Sequence, residues 1–176
     1  MRYFIITAFG KDQPGIVAGI TKILYEEGLN IEDSTMTRLN NEFAVMLVVQ
    51  SDDNISAEEL KKALSIIEKE KELTINVKEI TDEALKDKKE VGAVYNIVVY
   101  GADKPGIVYN VAKLLADKNI NISDLRTEKS NDLYVLISQV EFPPEVSEEE
   151  IEAELNRLKD EMNIDVSMEK QESVEM

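Results

Sequence analysis

The sequence contains no cysteine and no histidine. That excludes a disulfide framework, a thiolate or imidazole metal site, and any Ser–His–Asp or Cys–His nucleophile. Phosphate-cradling loops of the G-x-G-x-x-G or G-x-x-x-x-G-K-[ST] type are also missing. Positive charge is scarce: 20 Lys and Arg stand against 36 Asp and Glu, a net charge of −16. So acidic a chain is disfavoured for direct nucleic-acid contact or for docking on an anionic membrane. No apolar run approaches the roughly 20 residues of a transmembrane helix. The N-terminal stretch MRYFIITAFGKDQPG reads as a strand and turn with no signal-peptide cleavage site. A cytoplasmic protein with no cofactor is expected. Carboxylates could still act as acid and base or hold magnesium, but most, such as Glu58, Glu59, Glu68, Glu70 and Glu148 to Glu150, fall on the solvated faces of helical stretches. Catalysis is not expected.

What is present is a repeat. Gly10 to Val17 reads GKDQPGIV and Gly101 to Val108 reads GADKPGIV, 91 residues later. The offset runs without a gap from Phe4/Tyr95 to Glu79/Lys170, and 19 of the 76 aligned pairs are identical. A self-match at one fixed spacing marks a duplicated unit. With 43% apolar residues, the chain can supply two small cores.

Within the first unit, Arg2 to Phe9 is a short β-branched and aromatic run, predicted as a strand. The turn GKDQPG follows, with Pro14 suited to the first helical position and Asp12 or Gln13 near the cap. Ile16, Val17, Ile20, Ile23 and Leu24 form a helical stripe that ends at Gly28, a C′ residue. Asn30 to Arg38 and Glu42 to Gln50 read as strands around a Leu39-Asn40-Asn41 hairpin turn. Ser56 with Glu59 makes a capping box for a helix whose apolar face is Leu60, Ala63, Leu64 and Ile67. Leu73, Ile75 and Val77 alternate as a fourth strand. The order is the split βαβ ferredoxin-like arrangement βαββαβ. The second unit repeats it over Val94 to Tyr100, Pro105 to Lys118, Asn121 to Lys129, Leu133 to Glu141, Ser147 to Met162 and Ile164 to Met168, with Ser147 and Glu150 as its capping box. The expected organisation is α+β: a first domain over 1–80, a charged linker over 81–91, a second domain over 92–170 and a fraying tail over 171–176.

Two features allow a plain and a functional reading. Asn30 and Asn121 each open a strand just after a helix, where asparagine tolerates an awkward backbone angle; their side chains also offer a donor and an acceptor to a ligand. The doubled turn is either a good helix start and nothing more, or a place where free N–H groups and the helix dipole receive a carboxylate or phosphate.

At these residues the chain resembles the ACT domain family. The resemblance rests on the D-x-P-G-I-V turns (Asp12 to Val17, Asp103 to Val108), the helices that follow, and the N-I pairs Asn30-Ile31 and Asn121-Ile122. The first repeat, with Ile6 to Val17, Asn30 to Ser34 and Glu42 to Leu47, is further similar to the glycine-cleavage-system transcriptional repressor family. The resemblance implies two tandem ferredoxin-like ACT domains that bind an amino acid where two domains meet. By position it implicates Asp12, Gln13, Gly15, Ile16 and Asn30, and Asp103, Lys104, Gly106, Ile107 and Asn121. Serine-sensing members carry asparagine and histidine where this chain has Asp12 and Gly10. A carboxylate at Asp12 favours a ligand ammonium, whereas Lys104 in place of Gln13 favours an anion. The expected function is non-enzymatic regulation through a protein partner, a transcription factor or an enzyme, by a chain that forms a homodimer. The alternatives are an interaction module with vestigial pockets and a regulatory subunit of an amino-acid-metabolising enzyme.

Overall fold

Along β1 (Arg2–Lys11) the buried Phe4, Ile6 and Ala8 alternate with less buried neighbours, as a strand with one covered face requires. In the computed structural model, residues 1–52, 55–81 and 91–172 are described. The chain divides into two units, Met1–Lys88 and Lys89–Met176. Residues 82–90 of the expected linker lie outside the described residues.

In the first unit β1 is followed by α1 (Ile16–Glu26), β2 (Leu29–Leu39), β3 (Glu42–Ser51), α2 (Ala57–Glu70) and β4 (Thr74–Ile80). The sheet order is β2-β3-β1-β4, antiparallel throughout. The second unit repeats this with β5 (Ala93–Ala102), α3 (Ile107–Asp117), β6 (Asn121–Ser130), β7 (Leu133–Phe142), α4 (Glu148–Met162) and β8 (Asp165–Lys170), in the order β6-β7-β5-β8. The ladder continues one step past β8, because the Gln171 N–H donates to the Val94 carbonyl at 2.8 Å. Both units are therefore α+β and ferredoxin-like, as the element order predicts.

The helices lie on one face of each sheet. α1 buries Ile16, Ile20 and Leu24, and α2 buries Leu60, Leu64 and Ile67, the i, i+4 spacing of a stripe turned to a core. α3 and α4 repeat this with Ile107, Val111 and Leu115 and with Ile151, Leu155 and Leu158. Gly19 lets α1 approach α2 closely, since a Cβ there would stand 2.3 Å from Ile67 Cδ1.

Small devices are duplicated with the same 91-residue offset. The bulge in β2 between Ile31 and Asp33 recurs in β6 between Ile122 and Asp124. Asn40 and Asn131 take positive φ in the two hairpin turns. Gly28, at φ 70, follows α1 where Asn119, at φ 56, follows α3. The awkward backbone angles thus fall on these residues. Asn30 and Asn121 are not among the positive-φ residues, and the plain backbone reading of that pair is corrected.

The helix starts differ from expectation in two respects. Gly15 and Gly106 are the N-caps of α1 and α3, at φ 92 and φ 96, and neither helix has a side-chain cap. Pro14 and Pro105 therefore sit in the turn before the cap, outside the first helical position, and neither Asp12 nor Gln13 caps. In α2 the capping box is complete, with the Glu59 N–H donating to Ser56 Oγ at 3.2 Å and the Ser56 N–H donating to Glu59 Oε2 at 2.9 Å. In α4 only half forms. The Glu150 N–H donates to Ser147 Oγ, but the Glu150 carboxylate turns to the Lys118 ammonium.

The second core contains a phenol. Tyr95 is buried and its hydroxyl donates to Glu148 Oε2 at 2.9 Å. Burial first, then the bond to Glu148, pushes its pKa above the ordinary value. The folded pKa thus exceeds the unfolded one, so the stabilisation is fully present below about pH 10 and is lost as pH rises through the folded value. Tyr95→Phe is expected to remove that alkaline loss, read as a flatter dependence of Tm on pH between about 9 and 11.

Candidate functional site: two helix starts and two edge strands

The turn after β1 is fastened by backbone and side-chain contacts. The Asp12 N–H donates to the Asn41 carbonyl at 2.7 Å, tying the turn to the neighbouring hairpin. The Asp12 carboxylate lies 3.6 Å from Arg38 on β2. Gln13 Nε2 donates to the Lys71 carbonyl at 3.0 Å, just past the end of α2. Lys71 returns across the turn, its Nζ donating to the Pro14 carbonyl at 3.4 Å. A Cβ on Gly15 would lie 3.6 Å from that Nζ, so one ammonium stands beside the helix start. Ile16 is buried, and only its backbone can face a ligand.

The second unit makes the same contacts with different chemistry. The Asp103 N–H donates to the Asp132 carbonyl, and the Asp103 carboxylate pairs with Lys129. Lys104 Nζ donates to the Met162 carbonyl at 3.3 Å, the position equivalent to Lys71. Besides the cation paired with its aspartate, each turn thus has one further ammonium, supplied by Lys71 from the end of the second helix in one unit and by Lys104 from the turn itself in the other. Gly106 is followed by buried Ile107, and Asn110 Nδ2 donates to the Gly106 carbonyl at 2.9 Å.

Both helix starts are open. No side chain caps α1 or α3 and neither has an acidic residue in its first turn. α2 and α4 are capped by serine and carry Glu58 and Glu59, and Glu148 to Glu150, in their first turns. Of the four helices among the described residues, two therefore satisfy and neutralise their own N-termini, while the two after the repeated turn leave donors and positive dipole ends to solvent.

Asn30 and Asn121 stand elsewhere. Asn30 is level with Gln50 and Tyr3 in the sheet, whereas the turn follows Lys11, level with Leu39. Eight residues of strand separate them, about 27 Å. The second unit has the same layout. A pocket made by the turn and the asparagine of one unit, which the sequence allows, is therefore corrected: they occupy opposite ends of the sheet. Asn30 Nδ2 donates to Glu32 at 2.9 Å and Asn121 Nδ2 to Glu141 at 2.9 Å. Asn121 also lines a cleft of about 440 Å³ with Glu141, Pro143 and Pro144.

Sequence reasoning passed over Lys71, Arg38 and Lys129. Arg38 and Lys129 share one offset and one charge, opposite two equivalent aspartates, and that is a readable signal. Lys71 aligns with Met162, so the repeat conceals it. Among the described residues no helix is long and apolar enough to cross a membrane.

These observations define the class as a tandem of two ferredoxin-like α+β modules with open first-helix starts and exposed second strands. The profile of the ACT domain family matches residues 2–78 and 96–169, and the chain belongs to that family. A UPF0237 protein of Streptococcus mutans is 40% identical over 73 residues, 42% of this chain and 83% of that protein. The glycine cleavage system transcriptional repressor of Escherichia coli is related: it is 30% identical over 123 residues, 70% of this chain. That match spans 63% of the repressor, less than two thirds of its length. The solved structure of an unknown protein from Galdieria sulphuraria aligns with a TM-score of 0.82 at 25% identity, over 97% of this chain and 99% of that one. Another, provisionally described as a glycine cleavage system transcriptional repressor, aligns at 0.77 with 18% identity over 98% of both chains and shares the fold.

Proposed function

We propose that this chain is a non-enzymatic regulator that binds a small molecule of the amino-acid class where ACT domains meet and reports its presence to a partner protein. The observation that carries this reading is the contrast between two self-capped helices and two open ones, since an uncapped helix start suits a ligand carboxylate. Pairing of Asp12 with Arg38 and of Asp103 with Lys129 offsets the repulsion those aspartates would otherwise exert, and Lys71 and Lys104 add positive charge.

Strand geometry supports a site shared between neighbouring domains. β2 and β6 are sheet edges with nearly every residue exposed, surfaces ready to pair. Antiparallel pairing of one such edge with another places the start of one strand beside the end of its neighbour. Asn30 or Asn121 then comes to the neighbour's turn, which a single unit cannot achieve. A ligand spanning that seam biases two arrangements only if it binds them unequally. Kinship with the repressor supports a transcription regulator as partner, and the net charge of −16 favours protein contact over direct DNA contact.

One observation favours a second reading, an interaction module without a ligand: Asp12, Gln13, Asn30, Asp103, Lys104 and Asn121 all have internal partners. Thermal-shift measurement with each of the twenty amino acids separates the two. A ligand at 100 times its Kd stabilises by about 2.7 kcal/mol, a shift of several degrees. The double variant N30A/N121A is expected to lose that shift with its unliganded Tm nearly unchanged, because both side chains are exposed. Stabilisation by none of the twenty overturns the sensor reading and leaves the interaction module.

A further inference from the structure

The helices cover one face of each sheet, and the opposite face of the first unit carries a readable pattern. Phe9 and Met46 are 51% and 48% exposed there. They border a shallow groove of about 240 Å³ lined also by Thr7, Thr35 and Ala44. Exposed apolar side chains grouped on one sheet face are candidates for burial against a partner. Strand order and register arrange the face in rows across β4, β1, β3 and β2: Lys78–Ile5–Val48–Asp33, then Asn76–Thr7–Met46–Thr35, then Thr74–Phe9–Ala44–Thr37. These rows hold only two charges, at the two ends of the first. Three strand spacings, about 14 Å, keep Lys78 and Asp33 from pairing within a unit. Neither belongs to an ion pair among the described residues, and Asp33 accepts only from its neighbour, the Ser34 N–H, at 2.7 Å.

We propose that two copies of this chain associate through this face, the two sheets stacked about a two-fold axis that runs parallel to the strands between β1 and β3. That operation exchanges β1 with the second copy's β3, and β4 with its β2. Lys78 then faces the second copy's Asp33, and the reverse pair forms by symmetry. Phe9 lies over Ala44, large against small, and Ile5 over Val48. Met46 lies over Thr7. Aligned strands are an ordinary geometry for stacked sheets. The pattern also says why the occupant is a copy of this unit. In the second unit the row equivalent to Lys78–Ile5–Val48–Asp33 is Glu169–Asn96–Gln139–Asp124, acidic at both ends, and the same operation would oppose like charges twice. In a chain of net charge −16, a charge-balanced apolar face is where two copies can meet. The β2 edge stays free, so this interface stands independently of the proposed ligand site.

Sedimentation velocity of the full chain between about 1 and 100 µM tests it, with circular dichroism confirming that each variant is folded. A dimer is expected, and M46D should raise its dissociation constant on the order of 100-fold by burying an unpaired charge. I137D, at the equivalent exposed position of the second unit, should leave it within about threefold. K78E and D33K should each weaken association about tenfold, and the double variant K78E/D33K should recover most of the loss because the pair is re-formed with its signs exchanged. A wild-type monomer at 100 µM overturns the proposal. So does an M46D dimer of unchanged affinity, a larger effect of I137D, or a double variant weaker than either single one.

Discussion

Alanine in place of Phe142 is expected to cost the second unit roughly 3–5 kcal/mol. Phe142 closes β7, is 2% exposed, and its ring centroid lies 4.3 Å from that of Tyr95. Removing it empties a ring-sized volume within the second core and takes away a tilted aromatic contact of about 1 kcal/mol. The first unit fills the equivalent place differently. Phe4 and buried Ser51 stand where the second unit has Tyr95 and Phe142, so the duplicated cores have been repacked separately. Denaturant unfolding followed by amide exchange of the second unit's strands measures the loss. A cost below about 1 kcal/mol would contradict the packing described.

Valine at both helix starts is the second large effect. Gly15 and Gly106 hold φ near 90°, a region where a β-branched residue is strained by about 1–3 kcal/mol. The added Cβ atoms would also stand 3.6 Å from the Lys71 ammonium and 3.3 Å from the Asn110 amide, crowding the places where a carboxylate would dock. G15V/G106V is therefore expected to lose roughly 2–6 kcal/mol in total and to show no ligand-induced thermal shift. Asparagine, which tolerates positive φ better, should recover part of the stability at each position. Equal stability of the valine and wild-type proteins would contradict the backbone assignment.

Much of the fold was legible because the sequence states it twice. The stripes ending at Gly28, the Asn40 turn and the Ser56–Glu59 box are local signals, each decided within a few residues. α1 starts two residues later than the local pattern predicts, for a physical reason. A proline followed by glycine is compatible with either residue opening the helix, and only the φ of Gly15 decides. The half-made box at Ser147 depends on Lys118, more than 30 residues away in sequence, and no local pattern reveals it. For the site, the turn and the asparagines could be picked out, but their separation could not. That distance follows from strand register, which places Asn30 opposite Gln50 and the turn beyond Lys11.

On the proposed reading, the open helix starts and the strand-opening asparagines serve one ligand. The most direct measurement is a two-dimensional amide NMR titration with the amino acid that stabilises the chain most. In at least one unit, the amides of Ile16 to Ala18 or of Ile107 to Tyr109 should shift along a single saturation curve together with the side-chain amide of Asn30 or Asn121. Saturation that moves amides elsewhere and leaves both helix starts untouched would contradict the account.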